Sequence, residues 1–115
     1  MSLVQISQIN EKVPVTVFQL QERITLDNFA ELEKITKDSF DRGMHNLVID
    51  LSQTPTLSSI GVRAIVVIHK MLFAVNGNSL KLAGAQPRVR DVLQIAGVTH
   101  FVDLYDTVDE AAASF

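Results

Sequence analysis

The sequence predicts an α/β fold: a small mixed β-sheet, mostly parallel with one antiparallel edge hairpin, carrying about four helices. Three observations predict it. Apolar and polar residues alternate near the N-terminus, and the period becomes helical from Thr25. From there, short apolar runs and amphipathic stretches take turns to the C-terminus, the pattern of parallel strands joined by crossover helices. No repeat, low-complexity tract or linker interrupts the 115 residues, so a single domain over residues 1–115 is expected.

The elements follow in order. "LVQISQIN" alternates and reads as a half-buried strand; Glu11 and Lys12 turn the chain. "VPVTVFQL" is the second strand, with Pro14 near its start or on an edge because it lacks an N–H for the ladder. Phe29, Leu32, Thr36 and Phe40 recur at helical spacing, with Thr25, Asp27 and Asn28 as candidate N-caps and Gly43 as the stop. "NLVIDL" is apolar except for Asp50, as expected of a central strand covered on both faces. After "SQTPT" a second helix runs from about Ser59 to Asn76, closed by Gly77. "SLKLAG" is a short strand. Pro87 opens a third helix with Val89, Val92, Leu93 and Ala96 as its apolar stripe and Gly97 as its end. "HFVDLY" supplies a last strand, and Thr107 with Glu110 makes a capping box for a short C-terminal helix.

Composition narrows the function classes. The chain is 47% hydrophobic and 20% charged, with a formal net charge of −3. This is a globular composition without the basic face of a nucleic-acid binder. No apolar run reaches the roughly 18 residues of a membrane span, and no signal peptide is visible, so a cytoplasmic protein without membrane insertion is expected. The absence of cysteine removes disulfides and thiol chemistry. His45, His69 and His100 fall on three separate elements with no carboxylate at ligand spacing, so neither a metal site nor a catalytic set is expected. Glycine-rich nucleotide loops and the G-x-S-x-G nucleophile turn are absent too, and no cofactor is expected. "RVR" at Arg88 to Arg90 reads as the solvated side of a helix.

The second helix carries more information than its neighbours. At about 100° per residue, Ile60, Ala64, Ile65, Ile68, Met71, Leu72 and Val75 share one face, which must be the core. Arg63 and Lys70 lie on the other side, yet so do Val62, Val66 and Phe73, where a solvated helix would be polar. Either a neighbouring helix covers them or they form a docking patch bordered by two cations. The same patch would serve a homodimer. At the helix start stand Ser58 and Ser59. A serine there is an ordinary N-cap. The turn also follows the carboxyl end of a strand, where α/β sheets gather functional groups, and a phosphate on Ser59 would be tolerated at a helix N-terminus.

The stretch "NLVIDLSQTPTLSSIGVRAIVVIHKML" resembles the core of the STAS domains, the anti-sigma factor antagonists. The likeness continues through "GNSLKLAGAQPRVRDVLQIAGVTHFVDLYDTVDEAA" and so covers nearly the whole chain. The resemblance implies the same mixed sheet. It matches Asp50, Leu51 and Ser52 to the family's strand end, Ser59 to its phosphorylatable serine and Gly61 to its glycine. Ser58, the second choice of acceptor, stands where the family usually has Asp. Ile60 replaces a small hydroxyl residue, and Glu22 and Thr25 replace Gly and Asp.

What the resemblance implies is a non-catalytic antagonist acting by partner switching. It would bind an anti-sigma factor serine kinase and free a sigma factor. The kinase, carrying its own ATP and Mg, would then phosphorylate Ser59. The docking surface would comprise Ser52, Ser58, Ser59, Gly61, Val62, Arg63 and Val66. The alternative within the family is an unphosphorylated binding subunit or scaffold, in a sensor assembly or beside a membrane transporter.

Overall fold

A computed structural model describes residues 3–75 and 78–115. Five strands, β1 (Val4–Asn10), β2 (Pro14–Leu20), β3 (Asn46–Asp50), β4 (Ser79–Ala83) and β5 (Asp103–Tyr105), lie in one sheet in sequence order. β1 and β2 form the antiparallel hairpin, with Val4 opposite Leu20 and Asn10 opposite Pro14. The other pairings are parallel. The helices are α1 (Phe29–Asp41), α2 (Ser59–Phe73), α3 (Pro87–Ile95) and α4 (Val108–Ala113), with a 3₁₀ turn at Val98–His100.

Sequential strand order has a direct consequence. Right-handed crossovers that always step the same way put α1, α2 and α3 on the same face of the sheet. Between them lies the larger core, built on Phe18, Leu20, Leu47, Ile49, Leu80 and Leu82 against Leu32, Ile65, Ile68, Leu72 and Leu93. The opposite face needs a separate cover. There Val15, Val17, Val48 and Ala83 meet Ala111 and Ala112 of α4. β3 is buried on both sides, which accounts for its unbroken apolar run.

Several expectations shift by local chemistry. α1 starts at Phe29, and the candidate caps form a turn before it. The Thr25 N–H donates to Asn28 Oδ1 (2.8 Å), Thr25 Oγ1 accepts from the Asp27 N–H (3.2 Å), and Asn28 Nδ2 donates to the Arg23 carbonyl (2.9 Å). Asn28 occupies the N-cap position without a side-chain cap bond. α2 ends at Phe73, which leaves Val75 exposed rather than in the core. The expected stop at Asn76 and Gly77 lies outside the described residues. "HFVDLY" is a strand only from Asp103. Gly97, at φ +80°, turns the chain out of α3 into the 3₁₀ turn, so His100 never reaches the sheet. Ala96 follows the end of α3 and is exposed.

Candidate functional site

The serine turn is built from the end of β3. Asp50 is 7% exposed, and its carboxylate organises the exit from the strand. Oδ1 accepts the Ser52 N–H (2.9 Å) and Oδ2 accepts from Gln19 Nε2 (2.9 Å). Gly84, after β4, sits at φ +72°, where a Cβ would lie 3.0 Å from Asp50 Oδ1 and 3.3 Å from Ser52 Cβ. Backbone angle and space both call for glycine there. Gln86 Nε2 donates to the Ser52 carbonyl (3.1 Å), tying this loop to the start of α3.

The two serines divide their roles. Ser58 is the N-cap of α2: its Oγ accepts the Gly61 N–H (3.1 Å) and donates to the Ile24 carbonyl (2.8 Å). Its hydroxyl is thus committed in both directions, and it staples the loop after β2 to the start of α2. Ser59, the first residue of the helix, is exposed. Gly61 is buried, and a Cβ on it would come within 2.6 Å of Leu57 Cδ1. Its part in the site is to let Leu57 tuck beneath the first turn.

Beside Ser59 the surface opens into a hollow of about 310 Å³ lined by Ser59, Val62, Val92, Ile95 and Ala96. One wall is α2; the other is the end of α3, where Ile95 is 87% exposed. Val66 continues the α2 wall, and Val62 and Val66 pack partly into the core. His69 and Phe73 extend the stripe, and Phe101 joins them from beyond the 3₁₀ turn. The His69 ring centroid lies 5.4 Å from that of Phe73 and 5.0 Å from that of Phe101. Partial burial pushes the His69 imidazole below its ordinary pKa, because the charged form loses water there. Residues 59, 62, 66, 69 and 73 alternate steps of three and four, which keeps them on one side of α2. Arg63 and Lys70 are exposed on the flank that borders this stripe. The Arg63 guanidinium sits 5.8 Å from the centroid of the Phe29 ring on α1.

The arrangement brings Ser59, Val62, Arg63 and Val66 onto one surface, with Ser52 exposed on the neighbouring loop. It turns Gly61 inward and half-buries Ser58 as a structural pin. The α3 wall of the groove, Val92, Ile95 and Ala96, was not expected to form part of the site. Its signal is Ile95, an apolar residue off the buried stripe of α3. Arg88 is exposed, and Arg90 pairs with Asp106 at 2.9 Å at the surface of the same solvated side. His45 Nδ1 lies 2.7 Å from Asn78 Oδ1, far in sequence from the other imidazoles. Among the described residues no three His, Asp or Glu are grouped to hold a metal, and no helix is long and apolar enough to cross a membrane. The chemistry on offer is an exposed hydroxyl at the lip of an apolar groove.

Comparison with known proteins agrees with this fold. The STAS domain family model matches residues 6–111. BtrV of Bordetella bronchiseptica, classed as an anti-sigma factor antagonist, is 33% identical over 75 residues, which are 65% of this chain and 64% of that relative's length. Among solved structures, a Thermotoga maritima protein classed as an anti-sigma factor antagonist superposes with a TM-score of 0.86 at 20% identity, over 96% of this chain and 92% of that one. The anti-sigma factor antagonist SpoIIAA in its unphosphorylated form gives 0.70 at 19% identity, over 96% and 94%. The chain belongs to the STAS domain family, with the mixed α/β fold of the anti-sigma factor antagonists.

Proposed function

We propose that this protein is an anti-sigma factor antagonist that works by phosphorylation-controlled partner switching in the cytoplasm. Unphosphorylated, it docks an anti-sigma factor kinase through the groove beside Ser59, releasing a sigma factor. The kinase then transfers the γ-phosphoryl group of its own Mg-bound ATP. The Ser59 Oγ–P bond forms, the bond to the β,γ-bridging oxygen breaks, ADP leaves, and the hydroxyl proton passes to a base on the kinase. This chain is a binder and a substrate, with no catalytic group of its own in the step.

One observation carries the reading: Ser59 is exposed at the lip of an apolar groove, whereas the Ser58 hydroxyl is engaged with both Gly61 and Ile24. A phosphate adds about −1.5 to −2 charges. At the groove lip that charge would have to be desolvated for an apolar partner surface to seat against Val62 and Ile95. Release follows from this penalty. Ser52, Arg63 and Val66 supply the rim. Ser58 and Gly61 belong to the docking surface through the shape of the first turn. A homodimer through Val62, Val66 and Phe73 would compete with the kinase for this face.

The test incubates the purified protein with ATP and a lysate that phosphorylates a known substrate of this kind, then maps phosphate by mass spectrometry. Phosphate on Ser59, absent from Ser59→Ala, is the expected result. An Ile95→Asp variant should keep the fold and lose at least tenfold in kinase binding, which corresponds to about 1.4 kcal/mol. Phosphate on Ser58 alone would overturn the assignment of the acceptor. No phosphate at all would overturn the switch.

A further inference from the structure

β1 is the edge of the sheet. The Gln21 N–H donates to the Leu3 carbonyl (2.9 Å), and the register sets Leu3 opposite Gln21. Because bonded and non-bonded pairs alternate in an antiparallel ladder, Gln5, Ser7 and Ile9 also turn their backbone groups to β2. Val4, Ile6, Gln8 and Asn10 therefore turn theirs outward. Natural sheets blunt such edges with charge, proline, a bulge or shortness. β5 obeys the rule, with three residues and an exposed Asp103. β1 does not: it has seven residues, no charge, no proline and an unbroken register. Gln5 to Gln8 are exposed, and Ile6 is 52% exposed.

We propose that β1 pairs antiparallel with β1 of a second copy of this chain about a two-fold axis at Ser7. The outward set is symmetric about that residue. Val4 then meets Asn10 and Ile6 meets Gln8 of the other copy, each pair exchanging two backbone hydrogen bonds. This self-complementarity, with no like charges to oppose, selects a second copy over a foreign strand. Hollows flank the edge on both faces. One of about 660 Å³ is lined by Ile6, Gln8, Thr16, Arg42 and Met44 among others, and one of about 230 Å³ by Gln5, Ser7, Ile9 and Gln19. They leave room for the facing side chains. Seven residues at about 3.3 Å each make a seam of roughly 23 Å that is a single strand wide. The dimer is therefore reversible and concentration-dependent. No β1 residue lines the groove beside Ser59, so the proposed switch stays open in both copies and neither proposal depends on the other.

Sedimentation equilibrium of the full chain from about 10 µM to about 1 mM tests this, with Gln8→Pro and Ser7→Lys beside the wild type. Proline at position 8 removes an outward donor only, which an edge strand tolerates. Lysine at position 7 faces its own copy across the axis. The wild-type mass should rise toward twice the monomer's, and each variant should weaken association at least tenfold with its circular dichroism unchanged. The amides of Ile6 and Gln8 should exchange more slowly as concentration rises, while that of Ser7, bonded to β2, should not respond. A wild type monomeric throughout overturns the proposal. So does a dimer that survives Ser7→Lys, or one that leaves the Ile6 and Gln8 amides unprotected. If Gln8→Pro fails to fold, Ser7→Lys decides.

Discussion

At the scale of single residues, neighbouring serines of the same chemistry are separated by one hydrogen-bond pattern. Ser58 loses two bonds on truncation, one to an otherwise unpaired N–H at the helix start and one to the Ile24 carbonyl. Ser58→Ala should therefore cost about 1–2 kcal/mol. Ser59→Ala, at an exposed position, should stay within about 0.5 kcal/mol of wild type. Urea unfolding with an unchanged m-value reads both. Equal costs would mean that the N-cap assignment is wrong. The capping role of a serine at this place was legible in the sequence, but which of the two held it was not. The deciding partner, Ile24, stands 34 residues away and meets Ser58 only through the tertiary fold.

At the scale of elements, α2 is a helix with two apolar faces, and periodicity shows both without saying what covers the second. The structure answers in parts: Val62 and Val66 lean partly into the core, α1 packs on the cationic flank, and Phe73 stays 73% exposed. α3 was legible as an element, whereas its contribution to the groove depends on a packing angle that no local pattern encodes. The aromatic end of α2 has a measurable consequence. Partial burial lowers the folded-state pKa of His69, so the native protein binds fewer protons than the unfolded chain as pH falls through the ordinary imidazole value of about 6.5. Stability from this group is present above that value and declines below it. Between pH 7.5 and 5 the wild type should lose more thermal stability than His69→Gln does. Parallel curves for the two proteins would remove His69 as the cause.

At the scale of the whole molecule, the strand order makes α4 necessary. Three crossovers on one side leave Val15, Val17, Val48 and Ala83 facing the side that the C-terminal helix covers. The capping box was legible, and Thr107 Oγ1 accepts the Glu110 N–H at 3.1 Å as expected. The face that α4 would cover was not, because a run of three alanines carries almost no hydrophobic direction. The packing shows why alanine is used. Ala111 is fully buried and Ala112 nearly so, which brings the helix close onto the sheet. Lys81 on β4 closes the far end, with Nζ donating to the Ser114 carbonyl (3.1 Å) and Oγ (2.7 Å) and lying 4.7 Å from the centroid of the Phe115 ring. Larger side chains at the seam must therefore lift the helix. Ala111→Leu should cost about 1–3 kcal/mol through overpacking, whereas Ala113→Leu, one step from the seam and exposed, should change stability by under about 0.5 kcal/mol. Thermal unfolding of the two variants separates a helix seated by close contact from one that merely trails along the sheet: in the second case both substitutions would be equally silent.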